Sequence, residues 1–468
     1  MQRHQLLTRQ QAETIHRNAL RVLAEVGVAV EHGYLRTRLS SVGGHEDDAT
    51  QRVRFSPKQV QRQIDEAPKR CMENGPPRVG EHSGIYQSSY LDPVTEEILP
   101  FDENRLALYA ALGRNIHGGT LNMIGVPFVL EGIPPAQLPL AEKLYGWKYG
   151  LDVRSVQRTA LCEPLLEMYR CHSSASGRSL EEAFAAQGFL ISPLKLARPE
   201  CEQLLFFHER GLRMNIGHLP MQGATAPVTL AGALVLSLAE QIFLFLLTSA
   251  LWGSTEFFVG GGVSTVDMRS GNSCYGRPEM QRINVAWGDL ARYYGCGCGG
   301  HTGMTDAKIP STQAGAQKAV GTLITALATG HASLEAGLLS MDEICSPVQM
   351  VLDHDIANSL RALLAEVIVD ETECAFEDIL SAIGDGGFLG SDLTAAKFRS
   401  ALFVPQTWDS QPLRAWQASG AQQVTDRALE IFEQFRRNFE PYTCISIEEE
   451  KELRGILCKA AVTCSPAD

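Results

Sequence analysis

The sequence predicts an α/β protein built as a (β/α)8 barrel, with a helical and hairpin extension before it and helices after it. From about Phe101 onward, short apolar runs bounded by glycine or proline alternate with longer helix-patterned stretches. A strand with its crossover helix and loops needs about 30 or more residues, and the runs recur at that kind of interval. They begin at Thr120, Val153, Gly188, Arg213, Thr255, Tyr294 and Ala332. One strand from the N-terminal hairpin would make eight, which favours a barrel; an open doubly wound sheet stays the alternative, because no exact repeat is visible.

The composition excludes several classes of protein. The chain has 468 residues, of which 44% are hydrophobic and 20% charged, so a large core can form and low-complexity disorder is not the dominant state. There are 41 basic and 54 acidic residues, a net charge of −13, and no block of lysine or arginine. We therefore expect no nucleic-acid partner, and a neutral or cationic small ligand suits this charge better.

Residues 1–100 are predicted to form the extension. Thr8 precedes Gln11 by three positions, the spacing of a capping box, and the helical pattern that follows ends at Gly27. Farther on, the sequence GIYQSSYLDPVTEEILPF predicts a hairpin that turns at Asp92 and Pro93. Residues 101–367 are predicted to be the barrel core, and residues 368–468 a helical segment that flanks it.

One stretch could be mistaken for a membrane span. Residues 228–252 are almost wholly apolar, but Glu240 and Gln241 stand at the middle, where an ionisable residue would be costly in lipid. We expect a buried core helix and no membrane association. Twelve cysteines at irregular spacings and no apolar leader after Met1 predict free thiols and a cytoplasmic location.

Reactive groups of a barrel lie where its strands end. In TEFFVGGGVSTVDMRSG, Glu256 and Phe258 share one face of a strand, and the loop after three glycines carries Asp267 and Arg269. These glycines could let backbone amides approach a ligand, and the Phe258 ring could offer a face to it. A tight turn with a structural Asp267–Arg269 pair explains the same residues.

The next strand ends in a cluster of Cys296, Cys298 and His301, whose spacing is unlike familiar zinc sites, so no bound metal is expected. Asp306 and Lys308 follow in the loop. Lys308 could form a Schiff base or act as a general acid, although a solvated loop ion pair is commoner. Gln313 begins the helix after that loop.

Two more candidates flank these loops. Glu335 stands at the end of the run HASLEAGLL, where a rim carboxylate is the structural alternative. Gln222 lies just before a helix with Pro227 near its start, where backbone N–H groups could receive a polar substrate group or merely be capped. No nucleophile elbow, P-loop, HExxH motif or Rossmann fingerprint is present, and no residue is predicted to be catalytic.

Eight collinear stretches resemble the trimethylamine methyltransferase family. They keep the order and spacing of that family from the first helix to about Phe435. They are QGATAPVTLAGALV (Gln222–Val235), VDMRSG (Val266–Gly271), GRPE (Gly276–Glu279), LARYYG (Leu290–Gly295), TDAK (Thr305–Lys308), QAG (Gln313–Gly315), VLDHDI (Val351–Ile356) and GDGGFLG (Gly384–Gly390).

The resemblance implies a TIM barrel that transfers a methyl group from a methylated amine to Co(I) of a corrinoid (cobalamin) carried by a cognate protein. Such chemistry needs neither a protein nucleophile nor a zinc ion, because Co(I) is itself a strong nucleophile. The chain contains only the ordinary twenty residues and so resembles the branch without pyrrolysine, whose understood members act on quaternary amines such as glycine betaine. We also expect a homo-oligomer.

A quaternary ammonium group has no N–H donor, so aromatic faces and carboxylates should recognise it, at about 0.5–2 kcal/mol for each cation–π contact. Tyr86, Tyr90, Phe258 and Glu256 are the candidates for this role. Arg269 or the amides before the Pro227 helix could bind the carboxylate of a betaine.

Some positions depart from the family pattern. Polar residues of many relatives are replaced here by Ser311, Leu334 and Leu393, and the loop at Phe388 differs as well. These changes motivate a second hypothesis, a catalytically quiet paralogue that binds a corrinoid protein as a scaffold subunit. A Schiff-base enzyme that uses Lys308 is the third.

Overall fold

A computed structural model describes residues 3–70, 75–85, 89–116, 123–124, 130–151, 153–154, 158–253, 255–385 and 387–463. The α-helices are α1 (Arg9–Arg21), α2 (Gly33–Leu39), α3 (Pro57–Glu66), α4 (Glu103–Ile116), α5 (Leu138–Lys148), α6 (Cys162–Ser176), α7 (Leu180–Ala183), α8 (Arg198–His208), α9 (Leu230–Trp252), α10 (Pro278–Tyr294), α11 (Thr312–Thr329), α12 (Pro347–Leu364), α13 (Phe376–Asp385), α14 (Asp392–Ala401), α15 (Leu413–Ala418), α16 (Val424–Arg437) and α17 (Ile447–Thr463). The strands are β1 (Val28–Val30), β2 (Gly44–Asp47), β3 (Arg52–Phe55), β4 (Arg78–Gly84), β5 (Ser89–Leu91), β6 (Ile98–Leu99), β7 (Met123–Ile124), β8 (Ala186–Leu190), β9 (Lys195–Leu196), β10 (Met214–His218), β11 (Met221–Gln222), β12 (Val259–Gly260), β13 (Ser264–Val266), β14 (Ser273–Cys274), β15 (Cys298–Gly299), β16 (His331–Glu335), β17 (Leu338–Leu339) and β18 (Ile344–Cys345).

The extension folds as its sequence signals predict. The Thr8 side chain accepts a hydrogen bond from the Gln11 amide while the Gln11 side chain accepts one from the Thr8 amide, so the capping box is present. The helix continues as a short π-helical turn and ends at Gly27, whose φ of 70° suits glycine. The hairpin is also confirmed: β5 and β6 are antiparallel, and Asp92 accepts hydrogen bonds from the Val94 and Thr95 amides in the turn.

The main sheet elements pair in parallel, in three arcs. β4 lies between β16 and β7, β8 pairs with β10, and β12 pairs with β15. Five of the predicted apolar runs correspond to β8, β10, β12, β15 and β16. The run at Val153 forms no named strand, but Arg154 accepts a backbone hydrogen bond from the Gln187 amide of β8. Thr120 lies outside the described residues, just before β7.

The first strand of this series meets the last. β4 pairs with β16 over five residues, from Arg78 opposite His331 to His82 opposite Glu335. The strand that completes the series is therefore β4, which precedes the predicted hairpin rather than belonging to it. Within the described ranges no ladder joins β10 to β12 or β15 to β16. The structure thus shows an α/β protein with parallel pairing, and the closed eight-stranded ring and the domain boundaries stay predictions.

The apolar stretch at residues 228–252 forms the core helix α9. By length and composition alone α9 qualifies as a candidate span, but 78% of its most apolar stretch is buried in the protein, as in the core helix of a soluble protein. Glu240 is fully buried in this helix and accepts hydrogen bonds from the Ser192 hydroxyl and the Leu194 amide. Burial nevertheless raises the pKa of Glu240 to about 7.

Candidate functional site

A histidine and a glutamate meet where β4 and β16 approach their carboxyl ends. The register places His82 opposite Glu335, and the alternation of a strand puts Ser333 on the same face as Glu335. His82 Nε2 lies 2.6 Å from Glu335 Oε1, and His82 Nδ1 lies 2.5 Å from Ser333 Oγ. Both ring nitrogens are thus bonded, which fixes the orientation of the imidazole.

The partner carboxylate favours the charged form of this histidine. Burial alone would lower the pKa of His82, but the charge of Glu335 and the hydrogen bond to it outweigh that effect, and the pKa is raised. The buried Lys318 ammonium works in the opposite direction without reversing the outcome. The Glu335 carboxylate therefore stabilises the protonated imidazole of His82.

The second oxygen of Glu335 is buried without a hydrogen-bond partner among the described residues. Glu335 is buried, with 6% of its surface exposed, and its Oε2 has no hydrogen-bond partner among the described residues. A buried acceptor without a donor is costly, by about 1–3 kcal/mol and more for a charged group. Such an atom needs a further partner, and a cation, an N–H donor or an ordered water can supply it.

A second ion pair, Lys318 and Asp353, holds the backbone next to Glu335 in place. The Lys318 ammonium of α11 donates to the backbone carbonyl of Glu335 at 2.5 Å and to Asp353 Oδ2 of α12 at 2.7 Å. Asp353 Oδ2 also accepts the Gly337 amide at 2.8 Å, and both charged side chains are fully buried. The pair clamps the backbone on either side of Ala336 and so holds Glu335 in place.

An imidazole and a phenol border the same region. His301 follows β15, and its ring lies against that of Tyr275 with the centroids 5.9 Å apart. Asn284 donates to the His301 backbone carbonyl at 2.6 Å, which fixes the loop. Burial lowers the pKa of His301, although the nearby Glu335 carboxylate works against this. His301 therefore stays largely neutral beside the charged pair.

A further carboxyl group adds to the acidity of the cluster. Asp342 lies in the hairpin between β17 and β18, and its pKa is raised to about 6. Burial is the main cause, and the negative charges of Glu343 and Glu335 add to it. Residues 82, 275, 301, 335 and 342 thus form a half-buried group of two carboxyls, two imidazoles and a phenol, which we call the strand-end cluster.

Two of the predicted site residues belong to this cluster, and a third supports it. His301 and Glu335 are members. Asp306 lies beside it, and its carboxylate accepts the backbone amides of Tyr275 at 2.7 Å and Gly276 at 3.1 Å. Asp306 therefore positions the segment that carries Tyr275 and does not itself face a ligand.

The position of Gly276 explains why several family motifs meet here. A side chain at residue 276 would place its Cβ 2.3 Å from Gln317 Oε1, so only glycine fits without displacing the glutamine. Gln317 Oε1 in turn accepts the Thr305 hydroxyl at 2.6 Å and the Asp306 amide at 3.0 Å. The GRPE, TDAK and QAG segments are thus joined by hydrogen bonds around one glutamine.

Glu256 and Phe258 lie elsewhere. They share an exposed face just before β12, while Phe257 and Val259 are buried, as the alternation predicts. The Phe258 ring lies over the backbone of Gly299 on the neighbouring strand. Both residues precede the amino-terminal end of the strand, whereas the cluster lies where strands end, so the structure does not bring them together.

Four other described candidates do not join the cluster. Tyr90 is buried against Phe101, with the ring centroids 5.6 Å apart. Tyr86 lies outside the described residues. Lys308 is exposed, and its ammonium donates to the Asp306 backbone carbonyl. Gln313, also exposed, donates to Gln317 at 3.4 Å.

Arg269 is the fourth, and it is exposed on its loop. The Arg269 amide donates to Asp267 at 3.0 Å, while the ion pair of Asp267 is made with Arg277 at 3.1 Å. The tight-turn interpretation of this loop therefore fits, with a different arginine as the charged partner.

Gln222 keeps a feature of a binding residue. It is buried at the end of β11, its Nε2 donates to the Val228 carbonyl at 2.8 Å, and its Oε1 has no partner in the described part of the chain. Cys296 and Cys298 do not combine with His301 into a metal site, since no group of three ligands was found among the described residues.

Sequence reasoning missed His82, Tyr275, Asp342 and the Lys318–Asp353 pair. A signal existed for the last, because Lys318 lies in the helix after the TDAK loop and Asp353 stands in VLDHDI. His82 precedes the described hairpin by only a few residues, but nothing in its local pattern indicates that it pairs with a strand 253 positions away.

The fold and site define an α/β protein with a buried, acidic and aromatic cluster where parallel strands end. A sequence model of the family "Trimethylamine methyltransferase (MTTB)" matches residues 166–454, which is more than half of the chain. The chain therefore belongs to the trimethylamine methyltransferase family.

Individual relatives agree with this assignment. Trimethylamine methyltransferase MttB of Methanosarcina barkeri is 29% identical over 273 residues, which are 58% of this chain and 54% of that protein. The chain thus spans about half the length of that relative. A glycine betaine methyltransferase of Desulfitobacterium hafniense (strain Y51) is 25% identical over 461 residues, 94% of each chain. The solved monomethylamine methyltransferase of Methanosarcina barkeri covers 95% of this chain and 92% of its own at 10% identity, with a TM-score of 0.48, too low to define the fold.

Proposed function

We propose that the chain is a corrinoid-dependent methyltransferase that removes a methyl group from a quaternary or tertiary methylated amine. The observation that carries this proposal is the buried Glu335 carboxylate, whose second oxygen has no partner among the described residues. In a family with members named for trimethylamine and glycine betaine, a methylated ammonium group is the cation that suits this vacancy.

The strand-end cluster has the chemistry to hold such a cation. Glu335 and Asp342 supply negative charge, and a buried carboxylate attracts a cation more strongly than one in water. The Tyr275 ring beside His301 adds an aromatic wall, and a cation over an aromatic face gains about 0.5–2 kcal/mol. Gln222 Oε1 is a further acceptor for a polar group of the substrate.

The hydrogen bond to His82 reduces the effective negative charge of Glu335, and this reduction favours turnover. The positive charge on the substrate nitrogen disappears as the methyl group leaves, so a bare carboxylate would stabilise the bound substrate more than the transition state. His82 shares the charge of Glu335 across a 2.6 Å hydrogen bond. The site can therefore attract the cation without holding it too tightly.

The reaction requires no nucleophile from this chain. The corrinoid of a partner protein supplies Co(I), whose electron pair forms the cobalt–carbon bond while the C–N bond breaks and leaves its pair on nitrogen. A quaternary substrate then departs as a neutral tertiary amine, and no proton moves. The residues of the chain orient the N-methyl carbon and exclude water, which is how positioning accelerates a two-reactant step.

We also infer that the three parallel arcs are parts of one closed barrel. The pairing of the first strand of the series, β4, with both the second, β7, and the last, β16, supports closure. In such a barrel the strand-end cluster lies at the face where α/β barrels carry their active sites.

The test is methylation of a reduced corrinoid. The purified protein is incubated with a Co(I) corrinoid and, one at a time, glycine betaine, other betaines, tetramethylammonium and trimethylamine, and methylcobalamin is followed by its absorbance. We expect methylation with at least one of these amines and its loss in Glu335→Gln. No methylation with any quaternary or tertiary amine would reject the proposal.

Two further experiments separate the alternatives. A scaffold subunit would capture a corrinoid protein in a pull-down without turnover. A Schiff-base enzyme would be trapped by borohydride with a carbonyl substrate and would lose activity in Lys308→Ala. We expect Lys308→Ala to keep its methylation activity, because the exposed ammonium lies outside the strand-end cluster.

A further inference from the structure

We propose that the groove between α10 and α11 binds a small amphipathic molecule, one with an apolar body and an O–H or N–H donor at its head. The groove, which we call the helix groove, encloses about 550 Å³, within the range of about 300–1,000 Å³ that ligand sites occupy. None of the five described residues of the strand-end cluster lines it. The helix groove is therefore a second site, and its occupation does not depend on the proposed function.

Two helices and the amino-terminal segment form the walls of the helix groove. Their apolar lining residues are Leu6, Val285, Val320, Leu323, Ile324 and Leu327. Val285 is 3% exposed and Val320 is 62% exposed, so the lining runs from the surface to the buried contact between the helices. The His4 amide donates to the Leu327 carbonyl at 3.1 Å, and the Leu7 amide donates to Asp289 Oδ2 at 2.7 Å. These bonds tie the amino-terminal segment to both helices and fix it as a wall.

The helix groove contains a buried acceptor. Gln281 of α10 lines it with 8% of its surface exposed, and Gln281 Nε2 donates to the Tyr275 carbonyl at 3.5 Å. Because a carbonyl can only accept, the amide nitrogen must face it, and Oε1 is the atom left for another partner. Gln281 Oε1 has no hydrogen-bond partner among the described residues. A buried acceptor of this kind requires a donor.

Glycine at position 321 places this acceptor at the wall of the helix groove. A Cβ at residue 321 would lie 2.8 Å from Gln281 Oε1, so α11 meets the carboxamide with bare backbone, and Gly321 itself lines the groove. An ordered water needs about two to four polar partners. The neighbouring Gln317 Oε1 already accepts the Thr305 hydroxyl at 2.6 Å and the Asp306 amide at 3.0 Å. The mainly apolar lining therefore favours a molecule that brings one donor and an apolar body.

The lining also selects the charge of the ligand. None of the fourteen described residues that line the helix groove is acidic, and its two basic residues, His4 and Arg282, are exposed. A methylated ammonium cation therefore finds no carboxylate here, unlike in the strand-end cluster. The ligand class that fits is a neutral alcohol or amide with an apolar chain or ring.

The helix groove contacts the segment that carries Tyr275. Gly276 lines the groove, and its amide donates to Asp306 Oδ2 at 3.1 Å. The Tyr275 carbonyl accepts the bond from Gln281, while the Tyr275 ring lies against His301. A molecule bound at Gln281 thus lies beside the backbone that carries this phenol and does not occupy the strand-end cluster.

Calorimetric titration of the full chain with 1-octanol tests the proposal. The control ligand is 1-methoxyheptane, an isomer of octanol whose ether oxygen has no hydrogen to donate. We expect octanol to bind with a sub-millimolar dissociation constant and the ether to bind about 10-fold more weakly, because only octanol can donate to Gln281. In Gln281→Leu the alcohol and the ether should bind alike.

A variant that fills the helix groove provides an independent readout. Ala316 is an exposed residue of the lining, and Ala316→Trp should weaken octanol binding by at least about 10-fold, because the indole takes the place of the ligand. The matched control is Ala396→Trp, at an exposed alanine of α14 outside the groove, which should bind octanol like the wild type. Both variants should keep the unfolding midpoint of the wild type.

Three results would each overturn the proposal: no binding of octanol, equal affinity of the wild type for the alcohol and the ether, or undiminished binding in Ala316→Trp. A groove covered by a second copy of the chain would admit octanol only on dilution, so affinity that rises as the protein is diluted would overturn it as well. Glu335→Gln should bind octanol like the wild type. A failure of the proposed function is therefore distinct from a failure of this site.

Discussion

Two of the described histidine–glutamate pairs include a residue of β4, and they differ in one respect. Glu81 and His82 are neighbours on β4 and face opposite sides of the sheet. Glu81 receives His354 on both oxygens, at 3.3 and 3.2 Å, and Arg361 at 3.0 Å, so both of its oxygens have partners. Within the described part of the chain, Glu335 receives His82 on one oxygen and nothing on the other. The first pair is complete and joins β4 to α12, whereas the second leaves an oxygen for a further partner.

The difference shows that residue type and burial do not by themselves identify a site. Both carboxylates are at least nine-tenths buried, and each has a histidine partner. What distinguishes them is the count of satisfied oxygens, which depends on the partners that the opposite element supplies. Substitutions that act on one pair and spare the other can therefore test the distinction.

The largest effect is expected from the ion pair that supports the site. Lys318→Met leaves Asp353 as an uncompensated charge in a fully buried position, and breaking such a pair costs about 3–5 kcal/mol. Urea unfolding should show this loss in the free energy of unfolding. The double variant Lys318→Met/Asp353→Leu should recover much of it, since both charges are then gone. Equal destabilisation in both variants would contradict this explanation.

Glu335→Gln should reduce methyl transfer strongly. The amide keeps the size of the side chain but removes the charge that attracts the substrate cation, and we expect kcat/KM to fall about 100-fold, equivalent to about 2.7 kcal/mol. The free energy of unfolding should change much less. Activity within a few-fold of the wild type would show that the open oxygen of Glu335 has no part in the reaction.

Glu81→Gln should show the opposite pattern. Its carboxylate bonds Arg361 and His354 on the helix side of β4, and loss of these bonds should cost about 1–3 kcal/mol of stability. Methyl transfer at a temperature well below unfolding should stay within a few-fold of the wild type. A large loss of kcat/KM in a fully folded Glu81→Gln variant would contradict the distinction between the two pairs.

The smallest expected effect is on the pH dependence of stability, which further tests the comparison of the two pairs. The raised pKa of His82 means that the folded state binds its proton more tightly than the unfolded state. Its contribution is therefore complete below pH about 6.5, the unfolded value, and is lost as pH rises through the folded pKa. The difference in unfolding free energy between wild type and His82→Gln should shrink from pH 6 to pH 9. A difference in unfolding free energy that grows as pH rises would contradict the raised pKa of His82.

Local patterns predicted much of the fold. The capping box at Thr8, the turn at Asp92 and the alternation around Phe258 depend on residues within a few positions of one another, and all three are found. The rhythm of apolar runs located five strands of the sheet, because strand–helix units have a minimum length. Closure of the strands into a ring could not be predicted from local patterns, since it depends on which strands lie side by side in the tertiary structure.

The site was less accessible to sequence reasoning. Glu335 and His301 were identified because they end apolar runs, and position along a strand is a local property. His82 can be assigned to the site only because Glu335 lies across the sheet from it, and Asp342 only because it is buried near Glu335. Phe258 and Tyr90 were plausible as aromatic faces, but the distance of Phe258 from the strand-end cluster and the burial of Tyr90 against Phe101 are properties of the tertiary structure.

The pairing of β4 with β16 has a consequence for how the protein is made. These strands are separated by about half of the polypeptide, so a chain emerging from the ribosome displays β4 long before its neighbour exists. Until residue 335 has been synthesised, the imidazole of His82 has no carboxylate to meet, and the edge of β4 has no neighbour on that side. Nascent or truncated forms that stop earlier should therefore be inactive and prone to aggregation, even where their helices have already formed.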